Sequence, residues 1–237
     1  MRNSRIRVRH EHKYIITPMI YKIITDRLSL FLPHDSNSND DGTYRISSLY
    51  FDDIYGTAYG EKHDGIANRQ KFRIRCYNNS DKHIKLECKG KLNSYVYKES
   101  EEITREQYDR ILSGDLTFLY NSDSELLHRF YQQSRTRGLS PNVIVDYVRE
   151  AYISPLGNTR ITFDTDIKAS TLDHDLFSEN QVLISTLDQN NIVMEVKYDE
   201  YLPPYLNDLI SGQGIILQPV SKYILCLDKK VEVKHHG

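Results

Sequence analysis

Charged side chains recur at every second position along several short segments of this chain. Lys71, Arg73 and Arg75 form one such row, and Glu195 and Lys197 form another. Guanidinium groups bind phosphate oxygens through forked hydrogen bonds, and carboxylates hold hard divalent cations that also bridge phosphates. These residue types at this spacing indicate a site for a linear polyanion together with a divalent cation.

The alternation has a period of two, which predicts β-strands. The predicted strands are 5–14, 44–51, 71–77, 83–89, 95–102, 143–152, 160–166 and 192–197. For a single strand, a charged face exposed to solvent is the ordinary interpretation. Rows of like charge repel their neighbours, however, and a lumen lined by charged faces that holds an anion relieves this repulsion.

Helices are predicted between the strands by capping signals and helical spacing of apolar residues. They begin after Thr17-Pro18, at Thr104 with its capping-box partner Gln107, at about 124, and after Pro203-Pro204. They end near 28, 114, 137 and 210. Segments 33–42 and 172–185 are predicted to be irregular, and the polar tail from Lys229 to be frayed.

The alternating strands and amphipathic helices together favour an α+β fold. We expect a closed antiparallel β-barrel whose charged faces line a tunnel and whose apolar faces lie under flanking helices. The length of 237 residues fits one domain over 1–237.

The amino-acid composition makes some classes of function less suitable for this chain than others. Lys and Arg total 31 against 33 Asp and Glu, and the net charge of -2 weighs against a general DNA or RNA binder. The three cysteines have apolar neighbours and no metal-ligand spacing, which is typical of a reducing compartment. With no apolar signal core and no membrane segment, a cytoplasmic protein is expected.

Eight short motifs resemble those of one family, in the order in which the family has them. They are Arg9–Tyr14, Ser48–Asp52, Arg69–Arg75, Leu86–Lys89, Tyr147–Tyr152, Arg160–Asp164, Met194–Lys197 and Ser221–Tyr223. The chain resembles the VTC domain, the polyphosphate polymerase domain of vacuolar transporter chaperone complexes and of bacterial relatives. That family belongs to the CYTH-like triphosphate tunnel metalloenzymes.

The resemblance implies roles for particular residues. The phosphate-binding candidates are Lys13, Lys71, Arg73, Arg75, Lys89, Lys98, Arg149, Arg160, Lys197 and Lys222. Those expected to act in catalysis are Lys13, Arg73, Arg75, Arg149, Arg160 and Lys222. Glu195 matches the family's metal-binding glutamate, and Glu11 and Glu87 are additional candidates, for Mn²⁺ or Mg²⁺.

One departure concerns the start of the first strand. Many members of the superfamily begin with Glu-x-Glu-x-Lys, whereas Arg9 replaces the first glutamate here and leaves Glu11 and Lys13. Replacing a carboxylate by a guanidinium removes metal-binding charge and adds a phosphate-binding group. The departure favours polyphosphate handling over hydrolysis.

The resemblance implies an ATP-dependent polyphosphate polymerase that transfers the γ-phosphate of ATP to a growing chain. Two alternatives stay open, a hydrolase of tripolyphosphate or nucleoside triphosphates and a polyphosphate-binding module without catalysis. Structural interpretations also stay open, since Glu195 and Lys197 suit a weak surface ion pair and Asp164 suits a strand end. No partner nucleic acid is expected.

Overall fold

The computed structural model describes residues 9–57, 68–92, 95–170, 172–187, 191–212 and 215–236. Strands are β1 (Arg9–Ile16), β2 (Thr43–Asp52), β3 (Asn68–Tyr77), β4 (Ser80–Leu92), β5 (Tyr95–Ile103), β6 (Ser140–Ser154), β7 (Thr159–Ser170), β8 (Ile184–Ser185), β9 (Ile192–Asp199) and β10 (Ile216–Leu217). Helices are α1 (Pro18–Leu28), α2 (Arg105–Leu112), α3 (Thr117–Tyr120), α4 (Glu125–Arg137), α5 (Pro204–Ile210) and α6 (Lys222–His236). Residues 5–8 of the first predicted strand lie outside these ranges.

The chain divides into two compact units, each made of three segments. The first unit contains Met1–Tyr44, Tyr147–Ile167 and Leu187–Ser221, and the second contains Arg45–Asp146, Lys168–Thr186 and Lys222–Gly237. The prediction that 1–237 forms one domain stays a prediction.

Antiparallel pairing links the strands of each unit. In the first unit the hydrogen-bonded order is β10, β1, β9, β7 and the second half of β6. In the second unit the order is the first half of β6, then β2, β3, β4 and β5. The predicted α+β fold with an antiparallel sheet is confirmed. The predicted closed barrel is not confirmed, because the order of strands over the described residues is an open path.

The core of the second unit lies between the apolar faces of β3 and β4 and the helices α2 and α4. Phe72, Ile74 and Leu86 on the strands belong to one buried cluster with Tyr108 and Phe130 on the helices. Burying each such side chain contributes about 1.5–3 kcal/mol. The opposite faces of the same strands carry the charged residues, so this core fixes which way those residues point.

In the second unit, α2 and α4 begin at the capping residues from which they were predicted. Gln107 N–H donates to Oγ1 of Thr104 at 3.1 Å, and Thr104 N–H donates to Oε1 of Gln107 at 2.9 Å, so the capping box is formed. Ser124 caps α4, and Gly138 ends it in the left-handed conformation at φ 68°, which favours glycine.

The first unit has a second apolar cluster, under α1 and α5. Ile24 and Leu28 of α1 and Leu206 of α5 lie with Phe163 and Met194 of β7 and β9. The charged residues of β7 and β9 alternate with these apolar residues and therefore occupy the other strand face.

Several features differ from prediction. The segment 172–185, predicted to be irregular, ends in the short strand β8, which pairs with β7. The tail from Lys229 is not frayed, because α6 continues to His236 and Lys230 Nζ donates to the carbonyl oxygen of Asn142 at 2.5 Å. Tyr223 and Cys226 bury one side of the same helix. The short helix α3 was also not predicted, since its four residues are too few for a periodic signal. Over the described residues, no helix has the length and apolarity to span a membrane.

Candidate anion-binding faces

The charged face of the second unit is built from β2, β3, β4 and β5. Strand register places Tyr50 opposite Arg73, and Arg73 opposite Glu87. The next row places Ser48 opposite Arg75. Because the other face of β3 and β4 is filled by the core, these polar side chains share one surface.

Glu87 is the centre of this face. Arg73 donates to Oε2 of Glu87 from Nε at 2.7 Å, and Lys98 Nζ lies 2.6 Å from Oε1. Burial raises the pKa of Glu87, but the charges of Arg73, Arg75 and Lys98 outweigh burial and lower the pKa to about 2. Glu87 is therefore a carboxylate at every physiological pH.

Arg73 and Arg75 of β3 are each held in place by a hydroxyl group of β2. Arg73 Nη1 donates to Oη of Tyr50 at 2.7 Å, and Arg75 Nε donates to Oγ of Ser48 at 3.0 Å. Burial raises the pKa of Tyr50, but the nearby charges of Arg73, Arg75 and Lys222 lower it below its ordinary value. The cause of this lowered pKa is the positive charge of the surrounding side chains.

The start of α6 adds an aromatic support. The rings of Tyr223 and Tyr50 lie 4.7 Å apart, and Lys71 Nζ lies 4.6 Å from the centroid of the Tyr223 ring. The Tyr223 hydroxyl donates to Oδ2 of Asp52 at 3.0 Å. These contacts bring Lys222, the first residue of α6, to the same cationic surroundings.

A row of lysines crosses three strands beside Glu87. Lys71 of β3 lies opposite Lys89 of β4, and Lys89 lies opposite Lys98 of β5. Like charges directly opposite each other in a sheet destabilise it. A bound polyanion would offset this repulsion between the lysines.

On the charged face of the first unit, positive and negative side chains alternate along and between β1 and β9. Register places Lys13 opposite Glu195 and Glu11 opposite Lys197. Lys13 Nζ lies 2.7 Å from Oε1 of Glu11, and Lys197 Nζ lies 2.5 Å from Oε1 of Glu195. Glu195 is buried, whereas Glu11 is exposed.

The oxygen atoms around Glu195 decide whether this site suits the predicted divalent cation. Thr162 of β7 lies opposite Glu195, and its buried Oγ1 has no hydrogen-bond partner among the residues that the structure describes. Carboxylate and hydroxyl oxygens are ligands that Mg²⁺ and Mn²⁺ accept. Across the described parts of the chain, no group of three or more His, Cys, Asp or Glu side chains is arranged to hold a metal. The residues fit a cation whose other ligands are phosphate oxygens and water.

Arg149 is fixed by a carboxylate that the sequence prediction did not include. Its Nε and Nη2 donate to Oδ1 and Oδ2 of Asp164 at 2.6 and 2.8 Å, and both side chains are buried. Burial lowers the pKa of Arg149, but the charge of Asp164 raises it above its ordinary value. Asp164 does not end a strand, because β7 continues to Ser170.

Arg160 is held in a similar way. Its Nη2 donates to Oδ2 of Asp35 at 2.5 Å and to Oη of Tyr44 at 2.6 Å. Burial raises the pKa of Asp35, but hydrogen bonds from Asn37 and the charge of Arg160 lower it below its usual range.

The predicted residues fall into two groups. The second unit carries Lys71, Arg73, Arg75, Glu87, Lys89, Lys98 and Lys222, and the first carries Glu11, Lys13, Arg149, Arg160, Glu195 and Lys197. Their roles stay predictions, and the side chain of Arg9 lies outside the described part. The sequence prediction missed the partners Tyr50, Tyr223, Asp35 and Asp164. Of these, Asp164 shares a strand face with Arg160, so the period of two could have identified it.

An antiparallel α+β fold whose strand faces carry rows of cations defines a class of proteins that handle anions. A family model described as the VTC domain matches residues 8–230, and the chain belongs to this family. Membership supports a polyphosphate-related or triphosphate-tunnel function. A search of curated proteins found no match.

Solved structures with a similar fold share little sequence with this chain. A candidate adenylate cyclase from Bacillus halodurans is 9% identical, with a TM-score of 0.50 and coverage of 86% of each chain. A protein from Pyrococcus horikoshii is 13% identical, with a TM-score of 0.45 over 93% of this chain and 99% of its own. The first likeness concerns the fold alone.

Proposed function

We propose that this chain is an ATP-dependent polyphosphate polymerase, which transfers the γ-phosphate of ATP to the end of a polyphosphate chain. The observation that carries the proposal is the row of Lys71, Lys89 and Lys98 across three neighbouring strands. Glu87 offsets the charge of Lys98, and an anion with regularly spaced charges along the row would offset the repulsion between these opposed lysines further. A polyphosphate chain has such charges.

The reaction requires positioning and charge neutralisation rather than a protein nucleophile. A terminal oxygen of the acceptor chain attacks the γ-phosphorus in line, the bond to the oxygen bridging the β- and γ-phosphates breaks, and ADP leaves. In the second unit, Arg73 and Arg75 would bind phosphate oxygens, since Glu87, Tyr50 and Ser48 hold the two guanidinium groups in fixed orientations. Lys222 would offset negative charge.

In the first unit, Arg149 and Arg160 would bind phosphate oxygens with the hydrogen atoms that Asp164 and Asp35 leave available. Lys13 would offset negative charge that develops during transfer. Glu195 would hold Mn²⁺ or Mg²⁺, with the Thr162 hydroxyl beside it. When bound, the cation neutralises phosphate oxygens and orients the leaving group.

A cytoplasmic location belongs to the same proposal. Cys76, Cys88 and Cys226 are free and buried. Free thiols are typical of proteins in a reducing compartment, where ATP is also abundant.

The test uses the purified chain with ATP and Mn²⁺ or Mg²⁺, followed by a gel that resolves polyphosphate by length. We expect a ladder of chains from the wild type and a much weaker ladder from Lys89→Ala. Lys82→Ala is the matched control, because Lys82 is an exposed lysine of the same strand that lies outside the row of Lys71, Lys89 and Lys98. Free phosphate without a ladder would support the hydrolase instead, and binding without turnover would support the non-catalytic module.

Glu195→Gln tests the metal role separately. The substitution removes a charge but keeps the shape of the side chain. We expect turnover to fall far more than polyphosphate affinity, because the cation acts on the reacting phosphates. Full activity of Glu195→Gln over a range of Mn²⁺ concentrations would rule out the metal role.

A further inference from the structure

Glu87 is almost completely buried, and its two oxygens serve different cations. Oε2 accepts hydrogen bonds from Nε and Nη2 of Arg73 at 2.7 and 2.6 Å. Oε1 lies 2.6 Å from Nζ of Lys98, and Arg75 Nη1 lies 3.9 Å from Oε2. The side chain of Glu87 is 2% exposed. One carboxylate therefore joins three basic side chains of two strands.

These surroundings do not suit a metal ligand. A divalent cation at Glu87 would stand beside Arg73, Arg75 and Lys98, and their positive charges would repel it. The carboxylate also has little lone-pair capacity left after three close contacts. Glu195 also contacts a lysine, Lys197, but beside it in register lies the Thr162 hydroxyl oxygen, which has no hydrogen-bond partner among the described residues.

Arg73 and Lys98 are long side chains that would otherwise occupy many rotamers. Arg73 is held on one side by Glu87 and on the other by the Tyr50 hydroxyl at 2.7 Å. Lys98 is half exposed, and its contact with Glu87 draws its ammonium group toward Arg73. Binding groups that are ordered before the ligand arrives lose less entropy when the ligand binds.

We propose that Glu87 is a positioning residue that holds Arg73 and Lys98 ready for an anionic phosphate chain, and that it is not a metal ligand. The identity of the anion rests on the proposed function. The three basic side chains outnumber the one carboxylate, so the face stays positive while Glu87 orders it. Glu87 therefore strengthens anion binding although it is itself an anion.

The positioning role is tested by whether Glu87→Gln binds the anion more strongly or more weakly than the wild type. Removing a negative charge from an anion-binding face strengthens binding if only the net charge matters. If Glu87 positions its neighbours, Glu87→Gln weakens binding instead, by about tenfold or more, as expected when a charge-assisted hydrogen bond is lost. Calorimetric titration with tripolyphosphate in the presence of EDTA measures this affinity without metal and without turnover.

Glu102→Gln is the matched control. Glu102 lies on the same face of β5, is exposed, and contacts only His83 among the ion pairs described for it. We expect its removal to leave tripolyphosphate affinity unchanged or slightly stronger. Equal or stronger binding by Glu87→Gln would overturn the positioning role.

Lys98→Ala keeps the test decisive if Glu87→Gln folds poorly, since Lys98 is half exposed and is not part of the core. We expect Lys98→Ala to weaken tripolyphosphate binding in the wild type and to have little further effect in Glu87→Gln. No loss in Lys98→Ala would contradict the proposal.

The half-saturating Mn²⁺ concentration for turnover is a separate measurement. It should be unchanged in Glu87→Gln, and a large increase would make Glu87 a metal ligand. A wild type that binds tripolyphosphate but forms no polyphosphate would overturn the proposed function and leave the role of Glu87 standing. A wild type that does not bind tripolyphosphate would overturn both.

Discussion

At the level of residues, three of the four arginines assigned to phosphate binding are held by a buried carboxylate. Arg73 pairs with Glu87, and Arg149 pairs with Asp164. The sequence predicted the arginines but not these pairs, because a pattern within one strand does not show which carboxylate lies across the sheet. Arg160 and its partner Asp35 are 125 positions apart in the chain.

Asp164→Asn should destabilise the protein strongly. The side chain is fully buried and makes two hydrogen bonds with Arg149, so its neutralisation removes the hydrogen-bonded counterion of a buried guanidinium. We expect the free energy of unfolding to fall by about 3–5 kcal/mol in urea titrations. Asp109→Asn, which removes an exposed helical pair with Arg105, should cost less than about 0.5 kcal/mol. Similar losses for both variants would contradict this prediction.

Glu87 should also contribute to stability in a way that depends on pH. Its pKa is lowered from 4.5 to about 2, so its contribution is complete above pH 4.5 and is lost as pH falls toward 2. The shift corresponds to stabilisation on the order of 3 kcal/mol. The difference in free energy of unfolding between wild type and Glu87→Gln should therefore shrink between pH 5 and pH 2. A difference that stays constant across that range would refute the ion-pair explanation.

At the level of elements, alternation and capping predicted most of the strands and helices. The predicted strand 83–89 lies inside β4, and the predicted helix 124–137 matches α4 with its cap at Ser124. Such signals act within a few residues and are visible in a single segment. Closure of the sheet depends on pairing between distant segments, which local patterns do not specify, and the barrel was not confirmed. The extent of α6 depends on contacts such as that of Lys230 with Asn142, which the tail sequence alone does not show.

The lysine row should weaken the sheet slightly while it supports binding. Lys89→Gln removes one charge that lies between Lys71 and Lys98. We expect the free energy of unfolding to stay equal or to rise by up to ~1 kcal/mol at low salt, while tripolyphosphate affinity falls. Chemical denaturation and calorimetry measure the two effects on the same sample. Loss of both stability and affinity would indicate an ordinary structural lysine.

At the level of the whole molecule, a net charge of -2 coexists with strongly cationic strand faces. The composition therefore weighed against a general nucleic-acid binder but could not locate the cations, which depend on strand register. Over the described residues, each unit has a charged face and an apolar cluster. Family membership over residues 8–230 agrees with motifs spread along the sequence.

Anion binding should depend on local charge rather than net charge. We expect tripolyphosphate affinity to fall steeply between about 50 mM and 500 mM NaCl, because screening weakens contacts between exposed lysines and the ligand. Arg73 and Arg75 are more buried than Lys89, so part of the affinity should persist at high salt. Affinity that does not change with salt would contradict binding by the described faces.

The most direct measurement follows the fate of the γ-phosphate. The purified chain is incubated with ATP labelled at the γ-position, a short polyphosphate acceptor and Mn²⁺, and the products are separated by chain length. A polyphosphate polymerase moves the label into chains longer than the acceptor, and label at the α-position stays in ADP. Label that appears only as free phosphate, or that remains in ATP while tripolyphosphate binds, would contradict phosphoryl transfer to a growing chain.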